Sequence, residues 1–470
     1  MGSESATIVQ QLARFAVRAS WNDLPAPARE QLKIRVLDSI ACALGALGGE
    51  PVRMVRSLVE ELDGTGPCSL IGGGTASPDR AALYNSALVR YLDFNDSYLA
   101  KGETCHPSDN TGAVLAAAEY AGASGRDFLT ALALAYQVQC RLSDAAPVRD
   151  AGFDHVTQGT YAVAAGCARA LGLHADRTAN AIAIAGTAFN ALRVTRTGRL
   201  SHWKGLAYPG MAASVLGTTL LAARGITGPL EVFEGDKGFM DAVSGYFELD
   251  WEHEGLDRVT NTILKTYNAE IHSQGVLDAV LGLRSEAHLT GAEVARVEVD
   301  VFDVAYRIIG GGEEGDKTIV RSKEEADHSL PYLIAVALLD GQVLPAQFRP
   351  ERIVAADVQA LLHRVSVQAD DGFSRRFPAE MPCRVRLTLR DGRVLTAERS
   401  GYPGFTAGGR TWAAARAKLD QLAGARTSAA MRDRIAATVS RLEEVPAAEL
   451  ASLLATVTRP AIPVATHGAA

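Results

Sequence analysis

Apolar residues recur at i, i+3 and i+4 through Glu30 to Leu47, Arg126 to Leu142, Thr160 to Leu171, Asp176 to Ala185 and Met211 to Ala223. That spacing lays one apolar stripe along an α-helix. Many stripe positions are alanine, whose small side chain favours the helix and lets helix axes approach closely. The pattern predicts an all-helical bundle from Ala6 to about Ala223. Beyond about Tyr267 the period changes. Arg296 to Phe302 and Arg384 to Leu389 alternate polar and apolar residues, and an Asp391-Gly392 turn followed by Arg393 to Glu398 makes the second a hairpin. The helical run Leu330 to Leu339 lies between them, so this part reads as a smaller α+β unit. Helical spacing then resumes in Thr411 to Leu422, Met431 to Leu442 and Ala447 to Leu454, which predicts a return to the first unit. The expected fold is mainly α. A large helical domain takes residues 1–266 and 405–458, an inserted α+β domain takes 267–404, and 459–470 is a frayed tail. The length of 470 residues allows about three domains, and two unequal ones fit this change of texture. No internal repeat is present.

One stretch breaks the helical pattern. Tyr91 to Asn110, YLDFNDSYLAKGETCHPSDN, packs Asp93, Asn95, Asp96, Ser97, Lys101, Glu103, His106, Ser108 and Asp109 between the apolar runs Ala81 to Leu92 and Ala113 to Ala121. Two readings follow. The segment is a loop on which a site is built, or it is a solvated connector in which Ser108 or Asp109 caps the next helix.

Composition narrows the function. A hydrophobic share of 47% with 21% charged residues is that of a globular enzyme. The net charge of -7 leaves no basic field for nucleic acid or an anionic membrane. An anionic ligand would need a local cluster of His, Lys and Arg. The six cysteines include no CxxC pair, which argues against a zinc knuckle or an iron-sulfur site, and most stand in apolar contexts as reduced core cysteines do. MGSESATIVQQ lacks the basic start and apolar stretch of a signal peptide, and no window reads as a membrane span. A reduced, cytoplasmic setting is expected. Gly310 to Thr318, GGGEEGDKT, breaks the order of a phosphate loop at Asp316 and carries repelling acids. No dinucleotide fingerprint, HExxH or GxSxG occurs, so the expectation is a protein without cofactor or catalytic metal.

Candidate chemistry lies in the polar breaks between helices. His106 has Asp109 nearby, His155 follows Asp154 in GFDHVTQG, His272 follows Glu270 in NAEIHSQ, and Lys204 stands in SHWKG. Histidine titrates near neutrality and lysine supplies a fixed charge, so together they could do acid-base work on an anion. His174, His253, His288, His363 and His467 have no such context and read as surface or structural.

These same motifs carry a resemblance. LDFNDSYLAKGETCHPSDN before the helix GAVLAAAEYA resembles the MmgE/PrpD family, and the similarity runs on through GFDHVTQGTYAVAAG, SHWKGLAYPGMAAS, AEIHSQGVLDAV and DHSLPYLIAVALLDG to the carboxy-terminal hairpin. It covers nearly the whole chain. The resemblance implies a helical domain built from both chain ends, a lid-like α+β domain inserted between them, and a homodimer. It also implies metal-free action on citrate-like di- and tricarboxylates, as in 2-methylcitrate dehydratase, cis-aconitate decarboxylase and an iminodisuccinate epimerase. The implied pocket holds Asp93, Ser97, His106, His155, Lys204 and His272, with Tyr332 beside them. Within it His106 and His272 are the expected acid-base pair, and Lys204 with a protonated histidine faces the developing charge. Asp93 would orient one histidine and Ser97 would bind a substrate carboxylate or hydroxyl. Ser97, where the decarboxylases commonly have Thr, and the wording AEIHSQ point to dehydration of a 2-hydroxy tricarboxylate. Decarboxylation, epimerisation and a ligand-binding scaffold without activity are the alternatives.

Overall fold

A computed structural model describes residues 6–62, 64–312 and 314–458. The expected tail and His467 lie outside the described residues. The fold is mainly α with small sheets. The predicted helical runs are found as Ala26–Ala46, Gly125–Ala145, Val156–Ala170, Ala175–Ala188 and Trp203–Ala223. One apolar cluster gathers them, and Leu419, Ile435 and Leu450 of the last three helices join Leu37, Val163 and Leu216 in it. The Trp203–Ala223 helix begins eight residues before the predicted Met211, because Gly205 and Pro209 are poor helix formers and hide its first turns. Contrary to the sequence reading, this helix is long and apolar enough to cross a membrane. Its buried side, however, including Tyr208 and Leu216, packs into the helical cluster.

A second apolar cluster is built on a four-stranded sheet. Its order is Val365–Ala369, Val294–Val301, Cys383–Leu389, Val394–Arg399; the first pair is parallel and the others antiparallel. In Cys383–Leu389 the alternate residues Cys383, Val385, Leu387 and Leu389 are buried, as the pattern requires. Val365–Ala369 was not predicted. It is an edge strand with only Val365 buried, so its apolar period is too weak to read. The Gln274–Glu286 helix covers the last two strands.

Apart from exposed Lys101 and Gly102, the polar segment is neither solvated nor a plain loop. Past the Pro78–Tyr91 helix the chain turns left-handed at Asp93, with φ of 56°. It then makes a two-stranded ribbon, Tyr98–Leu99 with Thr104–Cys105, and a turn over Pro107–Asn110. Asp93, Asn95, Asp96, Ser97, Ser108 and Asp109 are buried, and Asn95, Asp96, Ser108 and Asp109 bond to one another. Asp96 Oδ1 accepts from the Ser108 hydroxyl at 2.6 Å, and Asn95 Nδ2 donates to Asp109 Oδ1 at 2.8 Å. The capping reading therefore fails: Asn110 is the N-cap of Thr111–Tyr120, and its side chain makes no capping bond. A backbone pair between Ser97 and Ile263 ties the segment to the strand of chain that leads into the second cluster.

Candidate active site: a histidine and arginine cleft

One narrow cleft is lined from both clusters. Asp93, His106, His155, Arg193 and Arg196 come from the helical side, and Glu270, His272, Ile308, Glu314 and His328 from the other. Asp93, His106, His155 and His272, distant in sequence, thus meet as expected. Lys204 and Ser97 stand one layer behind. Lys204 Nζ donates to Asp93 Oδ2 at 3.0 Å and to Asp327 Oδ1 at 2.6 Å. The Ser97 hydroxyl lies 3.0 Å from His106 Nδ1, so it supports that ring and does not itself face the cleft. Tyr332 is not brought to the site. Its ring is in the core of the second cluster beside Phe348, and its hydroxyl donates to the Gln347 carbonyl.

Local structure fixes each ring. His106 Nδ1 lies 2.9 Å from the Asp96 carbonyl, which can only accept, so Nδ1 carries the proton and Nε2 the lone pair. His272 sits in a short turn capped by Glu270, whose carboxylate takes both the His272 backbone N–H and ring Nδ1 at 2.6 Å. Its Nε2 is buried without a hydrogen-bond partner among the described residues. His155 precedes the Val156–Ala170 helix, stands edge-on to His106 at 5.3 Å between ring centres, and accepts from Arg196 Nη2 at 3.1 Å through Nε2. Arg196 is in turn held by Asp154 at 2.7 Å.

The charges are layered. Burial alone would raise the pKa of Asp93, but Arg90 at 2.6 Å, Lys265 at 2.7 Å and Lys204 hold it well below the usual carboxylate range. The same balance gives Glu270 a pKa of about 2, with His272 and His328 outweighing burial. The histidines move the other way. Burial, aided by Lys204, pushes His328 down to about 4; burial, aided by Arg196, pushes His155 down to about 3; burial with Arg90 and Lys265 puts His106 well below its ordinary value. Burial thus favours the neutral form of His106, His155 and His328 in the unliganded protein. Its fixed positive charge at the cleft is guanidinium: Arg149 with Glu103 at 3.6 Å, Arg193 with Glu314, and Arg196 with Asp154.

Asp93, Asp327 and His328 offer ligand atoms within 4.8 Å of one another. Lys204 already lies on both carboxylates, with Lys265 on Asp93 and Lys323 on Asp327 at 2.6 Å. A metal ion placed there would meet three ammonium groups.

Sequence reasoning missed Arg149, Arg193, Arg196, Lys265, Asp327 and His328. For His328 a signal existed: Asp327-His328 directly precedes Ser329, the N-cap of the Leu330–Asp340 helix, in the motif DHSLPYL. The arginines leave none, since a single arginine in a turn reads as solvated.

The same two halves are recognisable in known proteins. Residues 10–252 match the MmgE/PrpD N-terminal domain and residues 267–444 the MmgE/PrpD C-terminal domain. The chain belongs to the MmgE/PrpD family. Among its curated MmgE/PrpD relatives, 2-methylcitrate dehydratase of Cupriavidus necator is 28% identical over 431 residues, 84% of each chain. The enzyme of the same name from Escherichia coli K12 is 28% identical over 72% of this chain and 73% of its own. Cis-aconitate decarboxylase of Mus musculus is also 28% identical, over 69% of this chain and 67% of its own.

Proposed function

We propose that the chain is a hydro-lyase that dehydrates a 2-hydroxy tricarboxylate, 2-methylcitrate or citrate, by general acid-base catalysis without a metal. The observation that carries this reading is a pair of imidazoles with differently committed Nδ1 atoms in one arginine-walled cleft. His106, its proton held on Nδ1 by a backbone carbonyl, offers the Nε2 lone pair and takes the proton from the carbon beside a substrate carboxylate. His272 has the Glu270 carboxylate on Nδ1, so its protonated form has a counter-ion, and it delivers a proton to the departing hydroxyl. A positioned acid or base of this kind contributes roughly 10² to 10⁴ in rate. Arg149, Arg193 and Arg196 exchange their present carboxylate partners for those of the substrate, a geometry guanidinium suits.

Lys204 then acts through Asp93 and Asp327, setting the charge behind the rings, and Ser97 positions His106. The relatives named 2-methylcitrate dehydratase support dehydration over the decarboxylation named for the mouse relative. In this reading 267–404 closes as a lid over a helical unit of 1–266 and 405–458, and the working form is a cytoplasmic homodimer.

Chelator-treated protein incubated separately with 2-methylcitrate, citrate and cis-aconitate tests the proposal, with product followed by ultraviolet absorbance of the alkene and by mass spectrometry. Loss of water from either hydroxy acid is the expected result. Release of carbon dioxide from cis-aconitate alone would move the chain to the decarboxylases, and loss of all activity on chelation would refute the metal-free mechanism.

A further inference from the structure

A second cavity, of ≈ 560 Å³, lies on the far side of Asp327 from the cleft and is not used by the chemistry above. That volume is within the range of small-molecule sites. Arg53, Arg321, Arg349, Arg426 and Lys323 line it, against the carboxylates of Glu50 and Glu324. The excess of cations is local, since the whole chain carries a net charge of -7. Among the described residues none of the four arginines forms a side-chain hydrogen bond or an ion pair, although carboxylates partner the cleft arginines throughout. Arg321 and Arg349 are exposed at the rim, while Arg53 and Arg426 are half-buried. Arg53 Nε is itself buried without a partner, and burial alone lowers the pKa of Arg426, with no anion opposing it. A desolvated guanidinium without an anion is costly, so these groups are placed for one that is supplied from outside.

The backbone is shaped around them. A Cβ on Gly48 would stand 2.6 Å from Arg426 Nη2, and one on Gly49 would stand 2.3 Å from the Tyr91 ring. Both glycines immediately precede the Glu50–Leu62 helix, whose first turn lines the cavity and adds its positive end. Tyr91 and Phe348 give one wall an aromatic surface. At the floor, Lys323 Nζ holds Asp327 Oδ2 at 2.6 Å and lies over the Tyr91 ring at 4.8 Å.

We infer that this cavity is a binding site for a small anion bearing two or more phosphate groups. Several fork-shaped donors around one volume match the many acceptor oxygens of linked phosphates better than they match a single carboxylate. An occupant would compete with Asp327 for Lys323, and Asp327 is the residue that holds His328 in the cleft and Lys204 behind it.

Calorimetric titration of the full chain with inorganic pyrophosphate and, separately, with ATP tests the site. Saturable binding is expected for at least one of them. The double variant Arg53→Ala, Arg426→Ala should weaken it by about tenfold or more, as loss of charged hydrogen bonds does. Gly48→Ala keeps every charge but drives a methyl against Arg426, and should weaken binding too; it guards against a double variant that folds poorly. Arg193→Ala, in the cleft, should leave binding unchanged. Absence of saturable binding of both probes to the wild type would overturn the inference, as would binding that Arg193→Ala abolishes and the Arg53, Arg426 variant retains. A tighter fit for ATP than for pyrophosphate would identify the ligand as nucleotide-like, with its base against the Tyr91 wall.

Discussion

At the scale of single residues, burial decides the protonation of the cleft before any ligand arrives, and this sets the sign of the acid response. His328 and His155 titrate near about 4 and about 3 in the folded protein, against about 6.5 in an open chain. Above pH 6.5 both states are neutral at these rings and nothing is gained or lost. As pH falls below 6.5 the unfolded chain takes up protons that the folded protein refuses, so stability drops until the folded rings titrate too. Glu270, at about 2, adds a second loss below its ordinary value near 4.5. His328 alone should account for ~3 kcal/mol between pH 6.5 and 4. Urea unfolding across that interval should show a clearly shallower pH dependence in His328→Asn than in the wild type; equal slopes would mean that the ring is not held neutral. Asp93, His106, His155 and His272 were legible because each stands in a polar break between apolar helices with a carboxylate or ring partner close in sequence or family motif. Tyr332 was misplaced by the same motif that hid His328, four residues earlier.

At the scale of elements, the turn after the Pro78–Tyr91 helix shows strain exchanged for charge. Asp93 sits in the left-handed region at φ of 56°, which costs a non-glycine residue roughly 1–2 kcal/mol. Glycine would remove that cost, yet the position needs a carboxylate, because Arg90, Lys204 and Lys265 are all buried against it. Asp93→Gly should therefore destabilise the protein by ~3–5 kcal/mol despite the relieved backbone, since removing one partner leaves buried charge uncompensated. A denaturation midpoint at or above that of the wild type would show that strain dominates. Elements with a long apolar period were readable from the sequence, helices above all. The ribbon Tyr98–Leu99 with Thr104–Cys105 has two residues per strand, too few to show alternation, and its burial depends on partners such as Asp144, which takes the Tyr98 hydroxyl at 2.9 Å.

At the scale of the whole molecule, the cleft is bounded by two separate apolar cores, and its free space is only ≈ 40 Å³. A single water needs roughly 10–15 Å³ on that measure, so a six-carbon acid with three carboxylates does not fit as the walls stand. Polar contacts bridge the two cores here, Arg193 with Glu314 at the cleft and Lys204 with Asp327 one layer behind it, beside apolar contacts of Leu344 with the helical core and Leu99 with the second. Ion pairs of this sort can be exchanged for pairs to an anionic ligand at little net cost, whereas interdigitated apolar side chains could not part so readily. In the proposed reaction the two cores would part to admit the acid, and an acid paired to arginines on one side and to His272 on the other would draw them together again. In solution the unliganded protein should sample forms more open than this one, and saturating citrate or 2-methylcitrate should contract it. Small-angle X-ray scattering with and without the acid measures that directly. A radius of gyration that ligand leaves unchanged would mean that the acid reaches the histidines by a local path, with Arg193 and Glu314 alone swinging aside. Arg193→Ala would then speed entry instead of weakening the closed state.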